Sequence, residues 1–412
     1  MDVDPSPEQW LASASEANVS PAVNQLVSQI EKAWNRKLWH NLTVLLLSFV
    51  RTPETGPLQV SLFNNFIRGF EKKLNVLRLV EIARYVSRHI EDPTASLEFL
   101  TSLHSRIPHP NPPPSSTGEP TPPPAAPAAE AYALSLASIA YGKLLLGDLK
   151  GTKEAMDQSE KILDALPTVD GVVWAGFYGV AGDYYKASSS VSNQTQQSVN
   201  AEYGLYYKHS LLYLACVNLS DLSPEELTAR AHDLGIAALL GDSIYNFGEL
   251  LQHPILAALD NTEHSWIKTL LVAFNGGEIG KFESLVSQLQ TEAILQENTA
   301  FLRQKICLMA LIESVFRRSV DDRVFSFQSI AEETKVPVRE VEYLVMKALS
   351  LKLIRGSLDA IAQTATITWV QPRVLDRGQL EALSARFNDW CAKVGNVGQY
   401  VSERGVGITA RG

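Results

Sequence analysis

Cysteine is scarce in this 412-residue chain: Cys216, Cys307 and Cys391 stand far apart, odd in number and without a CxxC pair. That excludes a disulfide framework and a thiolate zinc site, and it points to a reducing compartment. No apolar run approaches the length of a membrane span; the longest, Val44 to Val50, is far too short. The start, Met1-Asp2-Val3-Asp4-Pro5, has no apolar stretch of the kind that marks a secretory signal. The expected location is therefore cytoplasm and nucleus. Positive charge is not in excess either: 36 Lys and Arg stand against 45 Asp and Glu, a net charge of −9. Such a balance disfavours nonspecific attraction to nucleic acid or to an anionic membrane.

Catalytic spacing is missing as well. The eight histidines form no HExxH or HxH pattern and no His/Cys cluster, so no metal ligand set is expected. No GxSxG occurs, and no cysteine has the context of a nucleophile. The run Asn275-Gly276-Gly277-Glu278-Ile279-Gly280-Lys281-Phe282 only superficially suggests a phosphate loop. Its glycines are misplaced, Phe282 stands where a hydroxyl is needed, and the segment before it reads as helix. The expectation is no catalytic residue, no cofactor, no metal and no small-molecule substrate.

What the chain has in abundance is helical periodicity. Helices are expected at Pro7–Ala17, Pro21–Asn35, Leu38–Val50, Gln59–Lys73, Val76–Ile90 and Thr94–His104. After a break they resume at Ala129–Leu146, Gly151–Leu166, Val172–Ser188, Gln194–Val217, Ser223–Leu240 and Ile244–Leu251. Ser265–Phe274, Ile279–Leu289 and Glu297–Arg318 complete the series. The break is a proline-rich insert with ten prolines from Pro108 to Pro127, unable to form helix or sheet ladders. Paired helices joined by short turns predict a mainly α fold, a right-handed helical-repeat solenoid of TPR-like type. The pair from Tyr141 to Pro167 resembles one tetratricopeptide repeat, although its period does not recur.

From Val324 onward the pattern changes to a winged helix. A short β-type run (Val324 to Phe327) precedes a helix to Thr334, a turn at Lys335-Val336-Pro337 and a second helix from Val338 to about Leu351. Two further strands follow, Leu353 to Leu358 and Ala365 to Val370. Helix-turn-helix units of this kind often read DNA. Here, however, Asp321 to Lys352 carries six acids against five bases, without the basic footprint a duplex requires. The unit is read as a protein-docking module, with the uncharged run Thr366, Ile367, Thr368 and Trp369 as an exposed hairpin edge.

Beyond Pro372 a last helix is expected from Asp376 to Ser402. Leu380, Leu383, Phe387, Trp390, Val394, Val397 and Val401 alternate spacings of three and four, the seam of a helix that packs among partner helices. The expected organisation is N-terminal repeats (1–104), proline-rich insert (105–128), repeats leading into the docking domain (129–300), winged helix (301–374), bundle helix (375–402) and tail (403–412).

Several runs carry a resemblance. Tyr245-Asn246-Phe247-Gly248-Glu249-Leu250-Leu251 with His253-Pro254, Ala273-Phe274-Asn275, Glu340-Val341-Glu342, Val345 to Ser350 and Thr368 to Asp376 resemble a family of proteasome lid PCI-domain subunits, that of non-ATPase regulatory subunit 13. The resemblance implies a non-catalytic scaffold in a hetero-oligomeric complex that degrades ubiquitinated proteins. Its implied partners are other lid subunits, met through winged-helix edges and a shared bundle of C-terminal helices. A signalosome or translation-initiation scaffold would share the fold, and a winged-helix nucleic-acid factor would need the basic face that is missing.

Overall fold

Side-chain oxygens at helix starts shape much of the first of two compact units, Met1–Ser223. The computed structural model describes residues 7–16, 20–110, 126–190, 196–260, 262–318, 323–374 and 377–409, so most of the proline-rich insert (111–125) lies outside the described residues. The unit comprises α1 (Pro7–Glu16), α2 (Pro21–Asn35), α3 (Trp39–Arg51), α4 (Gly56–Ser61), α5 (Val76–Ser87) and α6 (Pro93–His104). It continues with α7 (Ala126–Leu145), α8 (Leu149–Asp164), α9 (Gly171–Ser189) and α10 (Gln196–Cys216). Asn75, Asp92, Asp148 and Asp170 each accept a hydrogen bond from a backbone N–H two or three residues on, at 2.9 to 3.1 Å. These bonds satisfy donors that a helix start otherwise leaves unpaired.

Helices pack on their sequence neighbours, α2 on α3, α7 on α8 and α9 on α10, which is the helical-repeat pattern expected. At the centre α7 meets α5, α6, α8 and α9. Its buried Ala131, Ala133, Ala137 and Ala140 keep it thin enough for so many neighbours. Gly176 of α9 completes that approach, since a Cβ there would fall 2.5 Å from Leu134 Cδ1.

The expected helix Gln59–Lys73 is broken. A π-turn at Leu62–Phe66 and 3-10 turns at Ile67–Gly69 and Glu71–Lys73 replace it after α4. Leu62, Phe63, Phe66, Ile67 and Phe70 are all buried, a wider sector than one helix face presents. Phe66 packs 5.4 Å from Trp10 and 5.2 Å from Trp34, and Phe70 lies 4.9 Å from Trp34. Aromatic packing here overrides regular helical geometry.

Another consequence of aromatic packing concerns acid. His209 of α10 stacks on Tyr185 at 5.4 Å, beside Tyr178, and its Nδ1 has no hydrogen-bond partner among the described residues. Burial pushes its pKa down to about 4, with Lys208 contributing. A folded-state value below the ordinary 6.5 means that the unfolded chain binds the proton more tightly. Stability should therefore be lost as pH falls from 6.5 through about 4. The loss is about 1–2 kcal/mol, after discounting for partial solvent access. His209→Phe should flatten this acid limb in denaturant melts run across that range; an unchanged slope would place the sensitivity elsewhere.

The second unit, Pro224–Gly412, contains α11 (Pro224–Leu240), α12 (Gly248–Gln252), a 3-10 turn at Pro254–Leu259, α13 (Ser265–Gly276), α14 (Ile279–Leu289), α15 (Ala293–Glu297) and α16 (Thr299–Arg317). The expected helix Ile244–Leu251 is replaced by an irregular stretch and the short α12. One cause lies in α16: the Lys305 ammonium donates to the carbonyls of Ala238, Leu239 and Gly241 at 2.9, 2.9 and 2.6 Å, capping the end of α11. The glycine-rich run that superficially suggested a phosphate loop is the C-cap of α13. Gly277 sits at φ 65°, and a Cβ there would fall 2.6 Å from Ala310 Cα.

A winged helix follows: β1 (Val324–Ser326), α17 (Phe327–Thr334), α18 (Val338–Ser350), β2 (Ile354–Asp359) and β3 (Thr364–Val370). Val341, Leu344, Val345 and Ala348 form the buried stripe of α18, as their spacing predicts. The unit packs through α17, α18 and β3 onto α16. The chain then forms α19 (Arg377–Thr409), which continues seven residues past the expected end at Ser402.

Candidate functional site

The longest helix is also the most exposed. α19 has 33 residues, about 50 Å at the helical rise, and every side chain described along it is exposed. Leu380, Leu383, Phe387, Trp390, Val394, Val397 and Val401 all lie on it, with Phe387 57% and Trp390 63% accessible. Tyr400 adds to the exposed apolar surface, a residue the strict three-and-four spacing passed over. An i,i+4 pair, Asp389 with Lys393 at 2.7 Å, supports the helix from its polar side. An exposed apolar surface of this length favours association in water.

The root of α19 is held by a clamp. Arg373 donates to the Glu313 carboxylate of α16 at 2.6 Å and to Asn275 through both its backbone oxygen and its side-chain Oδ1, the latter at 3.0 Å. Burial lowers the Arg373 pKa, and the facing Glu313 opposes the shift. The adjoining Val374 presses on Gly248, where a Cβ would come within 2.4 Å of it. Three runs separated in the sequence, around Gly248, Asn275 and Arg373, thus meet at one place. Sequence inspection singled out those runs without revealing why they go together.

The winged helix corrects one expectation. The sheet order is β1-β3-β2, so β3 is the central strand and not an edge. Thr366 pairs with Val324 on one side and Ser357 on the other. Ile367 is buried beneath the sheet, so Ile367→Lys would damage the core instead of probing docking. Thr366 and Thr368 are exposed through their side chains, and Trp369 is half-buried under the Arg355 guanidinium at 4.7 Å. Among the described residues the outer strands of the sheet are β1 and β2. Alternation and lack of charge marked β3 as a strand, but nothing in its own residues reveals that β1 returns to its other side.

α18, the helix that would enter a major groove, exposes Arg339, Glu340, Glu342 and Lys347 together with Tyr343, 72% accessible, and Met346. Charges of both signs around an apolar centre suit a protein surface and give no counterion gain on DNA. Beside it Cys307 is buried, its thiol 3.6 Å from the Thr334 carbonyl and its pKa raised by burial, opposite to the environment that activates a nucleophile. Among the described residues, one group has the arrangement of a metal site: His232, His264 and Glu292.

Helical repeats that run into a winged helix without a basic face are the layout the resemblance to PCI-domain proteins implies. Comparison agrees: residues 26–271 match the model of the PSD13 N-terminal repeats, and residues 282–369 match the PCI domain. The chain is 37% identical over 92% of its length to the probable 26S proteasome regulatory subunit rpn9 of Schizosaccharomyces pombe, covering 92% of that protein. It is 35% identical over 91% to 26S proteasome non-ATPase regulatory subunit 13 of Dictyostelium discoideum, again covering 92%. With 26S proteasome regulatory subunit RPN9 of Saccharomyces cerevisiae it shares 33% over 94%, covering 95%. The chain belongs to the family of 26S proteasome non-ATPase regulatory subunit 13.

Proposed function

We propose that this chain is a non-catalytic scaffold subunit of the proteasome regulatory-particle lid, supporting assembly of the complex that degrades ubiquitinated proteins. The observation that carries this reading is α19, whose apolar side chains project from a clamped root with no cover from their own helix. Leu380, Leu383, Phe387, Trp390, Val394, Val397 and Val401 are its bundle contacts with neighbouring lid subunits. Sheet docking uses the outer edge of β2 or β1, with Thr366, Thr368 and Trp369 contributing side chains from the face of the central strand. The working organisation is repeats (1–104 and 129–300) on either side of a proline-rich insert (105–128), then winged helix (301–374), bundle helix (375–402) and tail (403–412). The protein acts in cytoplasm and nucleus and takes no nucleic acid, membrane or small-molecule substrate. Mixed charge on α18 supports the first exclusion, and no described helix is long and apolar enough to cross a membrane.

Affinity capture of the tagged full-length chain tests this reading. The expected result is near-stoichiometric recovery of proteasome regulatory-particle subunits. Recovery of initiation-factor or signalosome subunits in their place would assign the scaffold to a different complex, and tight, salt-sensitive binding to duplex DNA would restore the winged helix as a nucleic-acid reader.

A further inference from the structure

Three segments far apart in the sequence bring two imidazoles and a carboxylate together in the second unit. His232 lies midway along α11, His264 immediately precedes α13, and Glu292 immediately precedes α15. One ring nitrogen from each histidine and one oxygen of Glu292 lie within 4.8 Å of one another. His232 Nε2 is 3.0 Å from Glu292 Oε1, and the two rings are 4.3 Å apart at 62°. On its other side, His232 Nδ1 is 3.6 Å from the Asp233 carboxylate. All four residues are half-buried, between core and solvent.

We propose that His232, His264 and Glu292 bind a divalent transition-metal ion, Zn2+ by preference, joining α11 to the segments that lead into α13 and α15. Two neutral imidazoles and one carboxylate are a donor set that zinc takes at about 2.0–2.2 Å, with a water completing four-coordination. Bonds of that length around a tetrahedral ion place neighbouring donors about 3.3 Å apart. The His232–Glu292 pair already stands close to that spacing, at 3.0 Å. His264 closes the remaining gap by side-chain rotation, for which its half-exposed position leaves room. Asp233 is placed as an outer carboxylate. At 3.6 Å from His232 Nδ1 it lies beyond hydrogen-bond length and acts on the ring as a nearby negative charge, with Nε2 the nitrogen turned to Glu292. The carboxylates of Asp233 and Glu292 offset the charge of a dication. Nitrogen donors disfavour Mg2+ and Ca2+, which select oxygen ligands. Sequence inspection missed the group because no two of its three members share a motif spacing.

The test is titration of Zn2+ alone into the metal-free, full-length chain, followed by calorimetry, with Co2+ as a visible-absorption reporter. One ion per chain is expected, with the d–d bands of a four- or five-coordinate imidazole site. His264→Ala and Glu292→Gln should each weaken binding by about tenfold or more, and Zn2+ should raise the melting temperature of the wild type more than that of either variant. These substitutions leave in place His232, which contacts carboxylates on two sides. Wild-type chain that takes up no Zn2+ would overturn the proposal and leave the group as an ion pair. Equal binding by wild type and both variants would overturn it as well, placing the ion on other side chains.

Discussion

Phe387→Ala combined with Trp390→Ala should abolish entry into the complex while the free chain melts almost where the wild type does. Both rings are more than half exposed on α19, so the free chain has little packing to lose, and alanine is the better helix former. In a bundle the same rings become buried anchors. Truncating a packed Phe or Trp costs about 3–5 kcal/mol, and each 1.4 kcal/mol is roughly tenfold in affinity. The pair of substitutions should therefore reduce capture of partner subunits by several orders of magnitude. The two readouts must separate. Strong destabilisation of the free chain with normal capture would make α19 part of its own domain's core, and the bundle assignment would fail.

Lys305→Met should have the opposite signature, a large loss of stability in the free chain. The Lys305 ammonium is enclosed by the three carbonyls at the end of α11 and by the rings of Tyr245 and Phe247, each 5.4 Å from Nζ. Burial drives its pKa well down, with Asp242 opposing. The carbonyls nevertheless supply one acceptor for each of the three N–H donors of the charged form. Methionine fills nearly the same space and leaves the three oxygens facing an apolar wall. Orphaning buried acceptors costs about 1–3 kcal/mol each. A drop of that order in denaturant unfolding of the second unit is expected. A variant as stable as the wild type would show that the lysine's desolvation cancels its hydrogen bonds.

The two substitutions also mark what a sequence can reveal. Helices with a clean apolar stripe were legible to the residue, as with Pro21–Asn35 and Ile279–Leu289. The seam of α19 was legible for the same reason, because periodicity is a local property. Contacts made between distant segments were not. Lys305 reads as an ordinary helix lysine until α11 ends against it, and Arg373 as a loop arginine until Asn275 and Glu313 meet it. The π-turn at Leu62–Phe66 is dictated by Trp10 and Trp34, neither of which is near it in the sequence. β3 looked like an edge because the residues that cover it belong to β1, nearly forty positions earlier.

That strand order bears on synthesis. In the sheet β1 and β2 each hydrogen-bond only to β3, the last strand to be made. Until residues 364–370 have left the ribosome, neither earlier strand has a partner, and α17 and α18 lack the wing that completes their unit. The clamp at Arg373 is translated three residues after β3 ends, and α19 begins shortly afterwards. α19 therefore emerges after the winged helix and the clamp. On the proposed role of α19, ribosomes that stop early would release chains without the assembly handle, and such chains should stay out of the complex.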